Sequence, residues 1–170
     1  MLRSAGSVTI NVTGAAANLA YGSFYSSTDQ TDGVVAVAMF CENTADASGV
    51  SMEDNGSGKK TRITFANAGT YNVQFSAQLH NTGGGGSGTI VNIWFRLNGV
   101  NIANSDTKLV INNSSPYGVA AWNFIQTVTA GEYMEIYWFT DNANTILEHE
   151  DATATAPAIP SVIITAQQIR

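Results

Sequence analysis

Polar and apolar residues alternate with a period of two along most of this chain, which is the spacing of a strand with one face buried. The segment Tyr71-Asn72-Val73-Gln74-Phe75-Ser76-Ala77-Gln78-Leu79 is the clearest case: Tyr71, Val73, Phe75, Ala77 and Leu79 share one face. Ile63 and Phe65 alternate with Thr64 just before it, across a turn at Asn67-Ala68-Gly69. Ser7 to Thr13 alternates as strictly, predicting a half-buried strand, and Gly14 to Asn18 breaks it before another begins at Tyr21 to Tyr25. Val34 to Phe40 is apolar throughout and predicts a strand covered on both faces or at a subunit contact.

The second half repeats the pattern. A strand over Ile90 to Leu97 meets Asn98-Gly99, a two-residue hairpin signal because both types tolerate positive φ, and Val100-Asn101-Ile102 returns along it. Lys108 to Ile111 predicts another strand. Val119 to Val128 puts Ala120, Trp122 and Phe124 on one face, with Ala121, Asn123, Ile125 and Thr127 on the other. After the turn Ala130-Gly131-Glu132 comes Tyr133 to Phe139, and after a polar loop at 141–144 the last strand runs from Ser161 to Ile169. Nine or ten strands and no helix long enough to cover a sheet predict an all-β, two-sheet antiparallel sandwich or barrel.

Composition agrees. Of 170 residues 44 % are apolar, an ordinary share, but only 12 % are charged, about half the usual quarter. Asn, Thr, Ser, Gly and Ala take the place of charge, and these suit strands and turns. The length fits one domain that buries its core without staples. The net charge is −6, with Lys59, Lys60 and Arg62 as the one basic cluster, expected on a solvated loop face. That excludes the long basic track of a nucleic-acid binder. No run approaches the ~20 apolar residues of a membrane helix. Met1-Leu2-Arg3-Ser4 leads into Gly, Thr and Asn rather than a signal-peptide core, so a soluble protein made in a reducing cytoplasm, or exported by a route other than a signal peptide, is expected. Cys41 is the only cysteine, which rules out an intrachain disulfide, and a small buried hydrophobe is its expected role.

Candidate chemistry is sparse. Glu148-His149-Glu150-Asp151 is the densest polar cluster, but on a strand only Glu148 and Glu150 share a face, too few for the six or more oxygens of Ca²⁺. A solvated loop is the favoured reading, with a Ca²⁺ site that draws in Asp141 left open. His80 ends its strand and is expected at the surface. Asp46, Glu53 and Asp54 fall near or in a Gly/Ser-rich stretch over 47–58 read as a loop, where they pair as acid and base only by tertiary accident. No Gly-x-Ser-x-Gly and no Cys–His pair supports nucleophilic catalysis. The Gly83–Gly88 run lacks the Lys-Ser/Thr of a phosphate loop and reads as an exposed loop able to touch a partner or glycan. Trp94, Trp122, Trp138, Tyr133 and Tyr137 are read as core or subunit contact in preference to a sugar-stacking platform. No enzyme activity, metal or cofactor is expected.

Ile63-Thr64-Phe65, Gly69-x-Tyr71, Leu97-Asn98-Gly99, Ala130-Gly131-Glu132-Tyr133 and the closing Pro160-Ser161-Val162-Ile163-Ile164-Thr165 fall in the order of the C1q/TNF-like jelly-roll superfamily, which the chain resembles over residues 20 to 170. Ala20 to Tyr25, Ala121-Trp122-Asn123-Phe124 and Pro157 to Val162 are more specifically similar to domains in virion proteins of tailed phages, marine and cyanobacterial phages among them. The resemblance implies a homotrimeric jelly roll in a virion, assembled in the host cytoplasm, as a capsid decoration or cement protein that contacts the major capsid or other virion proteins. Its alternative is a tail- or head-fibre module that recognises a host glycan. Tyr21, Phe24, Tyr71, Val73, Phe75, Trp94, Trp122, Phe124, Tyr133, Trp138, Val162 and Ile164 are the family-like core or trimer-contact positions. Residues 1–19 are left as an arm whose Val8, Ile10 and Val12 are expected to add a strand to a neighbouring shell protein.

Overall fold

A computed structural model describes residues 19–31, 33–83, 88–112 and 116–170. Every element among them is a strand: β1 (Tyr21–Ser26), β2 (Val37–Ala38), β3 (Asn43–Ser48), β4 (Val50–Asp54), β5 (Lys60–Phe65), β6 (Gly69–Asn81), β7 (Thr89–Leu97), β8 (Val100–Asn101), β9 (Thr107–Ile111), β10 (Tyr117–Val128), β11 (Tyr133–Thr140), β12 (Thr145–Leu147) and β13 (Val162–Gln168). They form two antiparallel sheets packed as a jelly-roll-like sandwich. The first, sheet A, runs β10-β6-β13-β1-β3 with β12 also on β6; the second, sheet B, runs β4-β5-β11-β7-β8, with β2 on β11 and β9 on β7.

The period-two segments behave as the pattern requires. Tyr71, Val73, Phe75, Ala77 and Leu79 on β6 all point between the sheets and are buried. They meet Ile63 and Phe65 of β5, Phe95 of β7, and Met134, Ile136 and Trp138 of β11 in one core. Rings interlock across it: Phe65 lies against Tyr71 at 4.5 Å between centroids, and Phe75 meets Phe95 edge-on at 6.0 Å. The β7–β8 hairpin turns at Asn98 and Gly99, whose φ angles are 48° and 81°, the paired positive values that an Asn-Gly turn supplies.

Three expectations are corrected. The stretch 47–58, read as a loop, holds the end of β3 and all of β4: β3 belongs to sheet A and β4 to sheet B, and the chain crosses between them at Gly49, with φ of 72°. Val50 and Met52 on β4 are buried, while Glu53 stands opposite Arg62 and Asp54 opposite Lys60. Such opposite charges across a strand pair stabilise it, so the basic cluster lies largely on a strand rather than on a loop. The apolar run Val34 to Phe40 contributes only the two residues of β2, and Val34 and Val35 are exposed. Of the aromatic positions, Phe24, Tyr71, Phe75 and Trp138 are core, as are Val73, Val162 and Ile164; Tyr21, Trp94 and Tyr133 lie outside it. The arm positions Val8, Ile10 and Val12 lie outside the described residues.

Candidate functional site

Both sheets present an outer face, and the two differ in chemistry. Alternation fixes the outer face of sheet A. On β10 it is Tyr117, Val119, Ala121, Asn123, Ile125 and Thr127; on β6 it is Asn72, Gln74, Ser76, Gln78 and His80; on β13 it is Ile163, Thr165 and Gln167. None of these is Asp, Glu, Lys or Arg. Val119 is 60 % exposed and Ile125 57 %. Charge returns at the borders of this face: Glu148 lies on His80 at 2.7 Å, Arg170 Nε donates to the Thr70 hydroxyl at 3.3 Å, and Asp46 of β3 accepts a hydrogen bond from the Tyr21 hydroxyl at 3.3 Å.

Beside this face β10 forms the edge of sheet A, next to β9 of sheet B. Trp122 and Phe124 are half-buried there and pack on the core edge, Trp122 against Phe75 at 4.6 Å and Phe124 against Phe95 at 5.0 Å. The Trp122 Nε1–H is buried and has no hydrogen-bond partner among the described residues.

The outer face of sheet B is polar and aromatic. Tyr133, Glu135 and Tyr137 of β11 stand beside Trp94 and Arg96 of β7. Arg62 lies over the Tyr133 ring and Arg96 over that of Tyr137, each 4.4 Å from the centroid. Buried Glu135 accepts a hydrogen bond from the Thr61 hydroxyl at 2.9 Å. Tyr133 and Tyr137, read as core, are thus ring partners for arginines. In a strand apolar on both sides, the sequence does not say which side the partner sheet covers.

The acidic cluster does not converge. Glu148 pairs with His80, Oε1 to Nδ1 at 2.7 Å, and the His80 ring stacks on Tyr117 at 4.2 Å. His149 turns its Nδ1 to the Ile159 carbonyl at 2.9 Å and its Nε2 to Asp151 at 3.5 Å. Asp141 accepts from Ile90 N. Among the described residues no three of His, Cys, Asp or Glu form a group able to hold a metal ion. Asp46 and the pair Glu53 and Asp54 lie on different sheets, and the Asp54 carboxylate is turned to the backbone N–H groups of Gly56 and Gly58. Cys41 is buried, and that burial pushes its thiol well above its ordinary range. Of the glycine run, only Gly83 and Gly88 are among the described residues.

The exposed row on sheet A is the feature that sequence reasoning left without a role. Its signal was present in β10, where Val119 and Ile125 alternate with the core-facing set. Compared with known proteins, the chain matches no family model and no curated protein.

Proposed function

We propose that this chain is a non-enzymatic structural protein that assembles with copies of itself through the outer face of sheet A. The observation that carries the reading is the absence of any charged side chain from the outward positions of β10, β6 and β13, beside exposed Val119, Ile125 and Ile163. Desolvating a charge costs several kcal/mol, whereas covering apolar area returns about 25 cal/mol per Å². A face of this composition loses little and gains much when a second protein surface covers it. The β10 edge, with half-buried Trp122 and Phe124, is a second surface suited to meet it. Contact between two different surfaces of one subunit is heterologous, and such contacts close into rings where the rotation between subunits closes.

Three copies is the number that the resemblance to C1q/TNF-like jelly rolls implies, and a capsid decoration protein is the role it implies. In that role an obligate interface of about 2,000 Å² or more per contact holds the trimer, and the arm at 1–19 joins it to the shell. Two measurements test the reading. Sedimentation equilibrium should return three times the 17.9 kDa chain mass; a monomer at micromolar concentration would sink the assembly claim. Labelled antibody on purified phage particles should decorate heads. Label at the tail tip would favour the fibre role, and particles without label would end the virion reading.

A further inference from the structure

On sheet B, away from the assembly face, the outer surface carries a cleft of about 350 Å³ between β7, the end of β11 and the 102–106 loop. That volume falls at the small end of the range for small-molecule sites, about 300–1,000 Å³. Trp94 and Phe139 form its apolar part; Asn92, Asn101, Asn104 and Asp106 form its polar part. The polar groups are held before any ligand arrives. The Trp94 Nε1–H donates to Asn101 Oδ1 at 2.9 Å, fixing the indole, and Asn92 Nδ2 donates to Asp106 Oδ2 at 2.9 Å. The loop beneath is tied to β7 by the buried Ser105 hydroxyl, which accepts from Phe95 N at 3.1 Å and donates to the Ile102 carbonyl at 2.8 Å.

These bonds leave specific groups to spare. Asn101 keeps its amide N–H donors, Asp106 keeps Oδ1, and the Asn104 side chain has no hydrogen-bond partner among the described residues. Asn104 is also held at φ of 62°. Asn is one of the few non-glycine residues that adopt this conformation readily, so the turn sets the position of its side chain. A flat indole beside planar amide and carboxylate groups suits a ligand with one apolar face and a rim of hydroxyls. No lining residue is cationic, and the single carboxylate disfavours an anionic ligand and is too little for a Ca²⁺ shell.

We propose that this cleft binds one unit of a neutral saccharide, a hexopyranose whose apolar face lies on Trp94 and whose hydroxyls meet Asn101, Asn104 and Asp106. The site is independent of self-assembly, since it uses the opposite sheet. Loss of trimers therefore leaves it standing, and loss of sugar binding leaves the trimer standing.

The test titrates the full-length ¹⁵N-labelled protein with glucose, galactose, mannose and N-acetylglucosamine, with sialic acid as the anionic control. At least one neutral sugar should move the Trp94 indole N–H resonance saturably while those of Trp122 and Trp138 stay fixed. Asn104→Gly, which keeps the positive φ while removing the amide, should raise the Kd roughly tenfold, as expected for one lost hydrogen bond. Trp94→Ala should abolish binding; Asn104→Gly carries the test if that variant does not fold. A Trp94 resonance that no neutral sugar moves, or an undiminished response in Asn104→Gly, would overturn the site. Sialic acid binding as tightly as the neutral sugars would overturn its specificity.

Discussion

The Phe24 ring lies directly over Gly22, its neighbour on the core-facing side of β1: a methyl group at position 22 would sit 2.5 Å from both Cε2 and Cζ of that ring. Phe24 is fully buried between β1 and the opposite sheet, so its ring has nowhere to retreat. Gly22→Ala is therefore an overpacking change, expected to destabilise by roughly 1–3 kcal/mol. At roughly 2–4 °C per kcal/mol for a chain of this size, calorimetry should record a clear fall in Tm. An unchanged Tm would mean that β1 shifts freely.

Glu132 ties two turns together. Its carboxylate accepts from Thr129 N at 2.7 Å and from Asn98 Nδ2 at 2.8 Å, and these bonds hold its pKa below the ordinary 4.5. A folded-state pKa lowered in this way adds stability that is present above the unfolded value and lost as pH falls through the folded one. Glu132→Gln should thus melt below the wild type at neutral pH. The gap should close as the pH is taken down through the acid range, and a gap independent of pH would refute the assignment.

Cys41 is buried and its thiol is pushed up by that burial first, with the Glu42 charge adding to it. Thiolate is the reactive form. A thiol reagent such as dithionitrobenzoate should leave the native protein unlabelled at neutral pH and label one equivalent after denaturation. Rapid native labelling would show that the β2–β3 segment opens.

Ile125 and Ile163 are exposed on sheet A and support no core contact. Ile125→Arg and Ile163→Arg should each leave the melting of the isolated subunit within about 0.5 kcal/mol, yet turn the assembled species into monomers in sedimentation equilibrium. Retained assembly in both variants would place the contact elsewhere.

What the chain pattern revealed follows from how burial writes itself into sequence. β6 is legible because its inward residues are large and apolar and its outward ones are Asn, Gln, Ser and His. β3 is not, since Asn43-Thr44-Ala45-Asp46-Ala47-Ser48 contains no large apolar side chain and forms the edge of sheet A. β4 shows only Val50 and Met52 before its acids begin. The run at Val34 to Phe40 misled in the other direction: apolar content without alternation does not place a strand, and Val35 is 68 % exposed. On β11 both faces carry aromatic residues, and only pairing with β7 shows that Trp138 turns inward while Tyr133 and Tyr137 turn out. The sugar cleft was hidden for a further reason. Its Asn and Asp side chains come from strand β7, a short hairpin and a loop, and uncharged amides are common everywhere in this chain.

The place of β13 in sheet A bears on how the protein is made. It fills the slot between β6 and β1, pairing with β6 from Val162 to Gln168 and with β1 at Ser26. A ribosome delivers those residues after every other described strand, so until they emerge β1 and β6 each expose an unsatisfied row of backbone groups. Closure of the sheet therefore waits for β13 and has a large loop to close. Nascent chains held close together on one message present each other with the same vacant slot, and donating β13 from one chain into the gap of another is the misassembly that this strand order invites.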